Sequence, residues 1–146
     1  MSNDMSAAVL RQTLALVKAN DGQFTAQHGE ILLTIYTNEA EMALLQAASE
    51  LVERQRVTCV TAAPSGRSFT RVSSQSHHGS SGGPSFYICF SHYCSCAAFL
   101  HTTVHSKSTM CKHILAALLA DATGKLLHES VADSAFADML CPVSSE

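Results

Sequence analysis

Four side chains in this 146-residue chain have the types and spacing of a metal-binding set. Cys94 and Cys96 are one residue apart, and so are Cys111 and His113. The fourteen residues between the two pairs contain no cysteine. Three thiolates and one imidazole complete a tetrahedral shell for Zn²⁺ and leave no open position for water or substrate, so the chemistry is structural rather than catalytic. Two other arrangements draw on the same residues. The six cysteines are even in number and permit disulfides, although Cys-x-Cys is an awkward span for a bond between its own members. Cys94 and Cys96 also stand upstream of His101 and His105, whose His-x₃-His spacing fits a zinc-finger tail. Only four residues separate Cys96 from His101, against about twelve in the usual finger. Cys89 and His92 lie close to the first pair, and Cys89 reads as a small buried strand residue.

The elements around these residues must bring the pairs together. Residues i and i+2 of a strand point to one face, so an extended segment presents both Cys94 and Cys96. Inside a regular helix the same spacing turns two side chains apart. Ser108 and Thr109 are turn or cap residues, and Ile114 to Leu119 is helical material. This places Cys111 at the turn and His113 in the first helical turn, where the helix N-terminus also favours a thiolate. The helix runs from Lys112 to about Ala122 and is terminated by Gly124.

Upstream, β-branched Val57 to Thr61 and the run Ser68 to Val72 read as two strands joined by the Pro64-Ser65-Gly66 turn. Residues 73–85 are a low-complexity, mobile loop on which His77 and His78 are solvated. Phe86 to Phe90 is a third strand that delivers the chain to Cys94. Ala7, Leu10, Leu14 and Val17 repeat at helical spacing, and Asn20-Asp21-Gly22 ends that helix. It is either packed on the core or an arm for a partner. Residues 27–37 fit a helix or a strand. Asn38 with Glu41 is a capping box for a helix whose apolar stripe is Leu44, Leu45, Ala48, Leu51 and Val52, ending near Gln55. Ser130 with Asp133 signals a last helix over Val131 to Leu140, stopped by Pro142. The expected class is α+β: N-terminal helices over 1–55, a small antiparallel β meander with the zinc unit over 56–122, and a C-terminal helical segment over 123–146.

Apolar residues make up 47% of the chain and charged residues only 14%. A core is affordable, and part of the apolar surface is expected to be covered by a partner. No run is long enough to span a membrane, and the N-terminus lacks a signal-peptide pattern, which points to a reducing, intracellular setting. The net charge of −3 is unevenly spread. Residues 1–53 carry −5, residues 54–120 carry +6 with no Asp or Glu, and residues 121–146 carry −4. The six cations are Arg54, Arg56, Arg67, Arg71, Lys107 and Lys112. They either face phosphates, forming a nucleic-acid surface, or are neutralised by the acidic flanks.

The pattern C-x-C-x(n)-C-x-H followed by a helix resembles the SWIM zinc-binding family. The runs LVERQRVTCVTAAPSGRSFTRV, SHYCSCAAF and CKHILAALLA extend the similarity over about residues 40 to 120, towards the small SWIM subunits of Shu-type recombination complexes. Family members often have proline after the second cysteine, where this chain has Ala97. The resemblance implies a SWIM unit holding one structural zinc through Cys94, Cys96, Cys111 and His113. It also implies a nuclear, non-catalytic subunit that pairs with a RecA-like ATPase and assists a strand-exchange recombinase on single-stranded DNA in homologous recombination repair. The residues themselves show no catalytic constellation: there is no G-x-x-x-x-G-K-[ST] loop and no carboxylate pair within the zinc segment. A second reading is a stand-alone nucleic-acid binder using the basic 54–112 segment. In that reading Phe86, Tyr87, Phe90, Tyr93 and Phe99 are the aromatics available for stacking.

Overall fold

The computed structural model describes residues 3–73, 86–90, 93–96, 99 and 110–140. Of the expected 73–85 loop, Ser73 instead ends the second strand and residues 74–85 lie outside the described residues, as do His77, His78, His92, Ala97, His101, His105, Lys107 and the stop at Pro142. Among the described residues there are five helices and a five-stranded mixed sheet, an α+β arrangement.

Helix α1, Asn3–Ala19, buries Leu10, Thr13, Leu14 and Val17 at the predicted three- and four-residue spacing. Its packing face is therefore occupied by the core. The Thr13 hydroxyl donates back to the Val9 carbonyl at 2.7 Å. The turn after α1 needs Gly22, which has φ +77°, and a Cβ there would stand 2.8 Å from the backbone oxygen of Thr123. The ambiguous 27–37 segment is a helix, α2, Ala26–Ile35. Thr25 caps it, and His28 completes the capping box: His28 N–H donates to Thr25 Oγ1 at 3.2 Å and Thr25 N–H donates to His28 Nδ1 at 3.1 Å. Helix α3, Glu39–Glu53, starts at Asn38 as predicted, whose Oδ1 accepts from Glu41 N–H at 2.9 Å. The Glu41 carboxylate reaches one residue beyond the expected box and accepts from Thr37 N–H at 3.0 Å.

The strands are β1 (Val57–Ala63), β2 (Ser68–Ser73), β3 (Phe86–Phe90), β4 (Tyr93–Cys94) and β5 (Leu127–Ala132), in the spatial order β4-β3-β2-β1-β5. The first four form the expected antiparallel meander, with Gly66 at φ +78° in the β1–β2 turn. Strand β5 corrects the sequence reading. It runs parallel to β1, pairing Thr58 with Leu127 and Ala63 with Ala132, so the sheet is mixed. The signal at Ser130 belongs to this strand, opposite Thr61, and the last helix begins at Asp133 rather than Val131. Almost every β5 side chain is exposed, so no alternating apolar pattern marks it; backbone pairing to β1 holds it.

Helix α4, Lys112–Thr123, is the hub. Its buried residues His113, Ile114, Leu115, Ala116, Leu119, Ala120 and Ala122 lie nearly all around its axis. It packs on α1, α3 and the sheet. Burying one side chain the size of Leu115 contributes about 2 kcal/mol. Gly124, at φ +73°, ends it, and Lys125 N–H returns to the Ala120 carbonyl at 2.9 Å in a Schellman-type cap. Helix α5, Asp133–Leu140, covers part of the opposite sheet face. Phe136 joins Val60, Ala62 and Phe69 in a second core, with its ring centroid 5.5 Å from that of Phe69. Asp133 Oδ1 accepts from the Ser65 hydroxyl at 2.7 Å and so ties α5 to the β1–β2 turn.

Phe136→Ala should lower the unfolding free energy of the zinc-loaded chain by about 3 kcal/mol in urea titration. A loss below about 1 kcal/mol would mean that α5 does not depend on this contact.

Candidate metal centre

The β3–β4 hairpin and the first turn of α4 converge on one point. The edge strand extends past Cys94 through the Ser95 N–H, which donates to the Ile88 carbonyl at 3.0 Å, and the Ser95 hydroxyl, which accepts from Ile88 N–H at 2.9 Å. Extended backbone there puts Cys94 and Cys96 on one side. Phe99 N–H then returns to the Cys96 carbonyl at 3.2 Å. At the other wall Cys111 is the N-cap of α4, with φ −76° and ψ 165°, and its carbonyl accepts from Leu115 N–H at 3.1 Å. Its side chain makes no capping bond and is left for the cluster. His113 is the second residue of α4, and its ring lies against Tyr87 with centroids 4.3 Å apart.

The Sγ atoms of Cys94, Cys96 and Cys111 and a ring nitrogen of His113 all lie within 4.8 Å of one another. Cys94 Sγ stands 3.7 Å from His113 Nδ1. Zn–S bonds of about 2.3 Å and a Zn–N bond of about 2.0–2.1 Å set donor separations of about 3.5–3.8 Å in a tetrahedron. All four residues are buried. The donor set therefore fits one structural zinc ion, with no further donor required to close the shell.

The electrostatics argue for the same ion. Cys111 is pushed up to about 12, first because its thiol is hydrogen-bonded to Cys94 and second by burial. Burial, then repulsion from Cys111, raises Cys96. At Cys94 the hydrogen bond from Cys111 favours the thiolate, but the opposing bond with Cys89 and burial outweigh it and the pKa rises. Three crowded thiols thus resist ionisation on their own. A divalent cation reverses that balance and takes all three as thiolates.

The six cations are distributed differently. Arg54 caps the C-terminus of α3, and Arg56 begins the path into β1, its carbonyl accepting from Ser73 N–H at 2.9 Å. Arg71 forms an ion pair with Glu129 at 2.6 Å, a bond between the basic middle and the acidic C-terminal segment. Arg67 Nε donates to Ser65 Oγ at 3.3 Å, and its guanidinium lies 5.5 Å from the Phe136 ring centre. Lys112 is exposed at the start of α4, beside the cluster.

Cys89 is the small buried strand residue that the sequence suggested, on β3, but its contact with the cluster was not foreseen: its Sγ approaches Cys94 Sγ to 3.5 Å. The signal was the two-residue gap between Phe90 and Tyr93, which sets Cys89 opposite Cys94 once the strands pair.

Comparison with known proteins agrees with this geometry. Residues 90–122 match the SWIM zinc finger. The chain is 41% identical over 96 residues to zinc finger SWIM domain-containing protein 7 of Danio rerio, covering 64% of this chain and 63% of that protein. It is 36% identical over 94 residues to the Homo sapiens protein of the same name, again 64% of this chain and 63% of that protein. The chain thus spans under two thirds of the length of these relatives. No solved structure matches it.

Metal analysis of the purified chain should give about one zinc per chain, and none in a Cys94→Ala/Cys111→Ala double variant. Full zinc in that variant would reject the four-residue site.

Proposed function

We propose, with the SWIM zinc finger of residues 90–122 as premise, that this chain is a non-catalytic subunit of a Shu-type complex. It pairs with a RecA-like ATPase and promotes assembly of a strand-exchange recombinase on single-stranded DNA in homologous recombination repair, in the nucleus. The observation that carries the reading is the closed donor set: four buried protein ligands complete the shell, so the ion organises a surface instead of a reaction. The resemblance of residues 40 to 120 to the small SWIM subunits supplies the class of partner.

The helical layer offers area for that partner. Leu16, Leu33 and Met42, on α1, α2 and α3, are each more than 40% exposed. A groove of about 480 Å³ is lined by Phe24, Leu32, Leu45, Val52 and Leu119. Apolar side chains held at the surface in this way are what a protein partner covers.

A second reading, direct binding of nucleic acid, is favoured by one observation. Phe90 and Tyr93 face each other across β3 and β4 and are 43% and 51% exposed, beside the zinc cluster. Exposed aromatics of this kind stack on bases.

The tagged chain purified from nuclei should retain a RecA-like ATPase. Labelled single-stranded DNA should then bind the pair and not the zinc-loaded chain alone in fluorescence anisotropy. A chain that retains no ATPase, yet binds the DNA alone with an affinity falling steeply with salt, would overturn the adaptor reading in favour of the second.

A further inference from the structure

The zinc set uses three of the six cysteines. Cys59 lies on β1, its sulfur 3.9 Å from the Thr61 hydroxyl, and Cys141 is outside the described residues. Cys89 is different, because it touches a ligand. Ile88 and Ser95 are joined by a backbone bond, so the next pair along the hairpin, Cys89 and Cys94, is a non-hydrogen-bonded pair. In such pairs the Cα atoms approach to about 4.5 Å and the side chains stand closest, within the Cα range that a disulfide spans. The two sulfurs are 3.5 Å apart and both side chains are buried.

We propose that Cys89 and Cys94 are an oxidative modification site, in which a peroxide converts the pair to a cross-strand disulfide and zinc is released. This rests on the zinc reading of the cluster but not on any partner or DNA role. The steps balance as follows. The Cys94 sulfur attacks one peroxide oxygen, the O–O bond breaks and hydroxide leaves, so Cys94 becomes a sulfenic acid and gives up the metal. The Cys89 sulfur then attacks the Cys94 sulfur, the S–S bond forms and the S–O bond breaks. The departing hydroxide takes the Cys89 proton as water. Two sulfurs lose two electrons in all, and one peroxide is reduced to two oxygens at the level of water.

Cys96 and Cys111 are also near Cys94, but in the loaded site each gives one lone pair to the ion and would have to leave it to form a disulfide. Cys89 is the neighbouring thiol with its lone pairs free, so it resolves the sulfenic acid before the remaining ligands are released. Loss of Cys94 leaves Cys96, Cys111 and His113, an incomplete shell with lower affinity. Burial makes the first step slow, and it proceeds through opening of β4, a two-residue strand at the sheet edge. A dithiol reductant restores the site.

The test starts from the full chain, verified at one zinc per chain. Hydrogen peroxide is added, zinc release is followed with a chromogenic chelator, and free thiols are alkylated for mass-spectrometric mapping. A Cys89–Cys94 disulfide should appear in step with zinc release and vanish, with zinc rebinding, on adding dithiothreitol. Cys89→Ala should load zinc normally and release it at a similar rate, but fail to rebind it on adding dithiothreitol, because an unresolved Cys94 sulfenic acid oxidises on to the sulfinic acid. Disulfides confined to Cys94, Cys96 and Cys111 with Cys89 alkylated, or full zinc rebinding by peroxide-treated Cys89→Ala on adding dithiothreitol, would overturn the proposal. The wild-type map decides the matter even if Cys89→Ala misfolds. Failure of the wild-type chain to load zinc would instead reject the metal site beneath it.

Discussion

The joint between the edge strand β4 and the start of α4 is the constraint on which the rest depends. Cys94 and His113 are brought to 3.7 Å across nineteen residues of chain, and closing a loop of that length costs conformational entropy. The three buried thiols that meet there are each costly to ionise, with burial raising all of them, although the bond from Cys111 favours the thiolate at Cys94. One Zn²⁺ offsets that ionisation cost with four bonds, and ligation in a small unit of this kind is folding free energy. The helix N-terminus adds its own preference for negative charge at Cys111.

Fixing this joint fixes more than the metal. Helix α4 is the shared neighbour of α1, α3 and the sheet, so anchoring its first turn sets the helical layer on the meander. Its far end meets the turn after α1, where Gly22 packs against the Thr123 carbonyl and Lys18 forms an exposed ion pair with Asp121 at 3.1 Å. The opposite sheet face is closed separately, through Phe69 and Phe136. A zinc ion used in this way has no vacancy for chemistry. The proposed role as an adaptor rests on the apolar helical surface that it holds in place, and the rival nucleic-acid reading on the exposed Phe90–Tyr93 pair.

Much of this was legible because it is local. The two one-residue spacings give the donor set, Asn38 gives the start of α3, and Gly124 gives the end of α4. The features that escaped depend on pairing between distant segments. Strand β5 has no apolar alternation and exists because the β1 edge was open to it, which no window around Leu127–Ala132 reveals. The 27–37 segment, by contrast, was left open between helix and strand for local reasons: Gly29 weakens the helix, and the capping box is closed with His28 in place of a carboxylate or amide. Cys89 looked like filler until the hairpin register placed it against Cys94.

The most direct test of the central claim is X-ray absorption at the zinc edge on the loaded chain. The account predicts three sulfurs at about 2.3 Å and one nitrogen at about 2.0–2.1 Å. Four sulfurs would put Cys89 in the place of His113. Two sulfurs with two nitrogens would move the site to Cys94, Cys96 and the histidine pair His101 and His105. Either result would contradict the joint between β4 and α4.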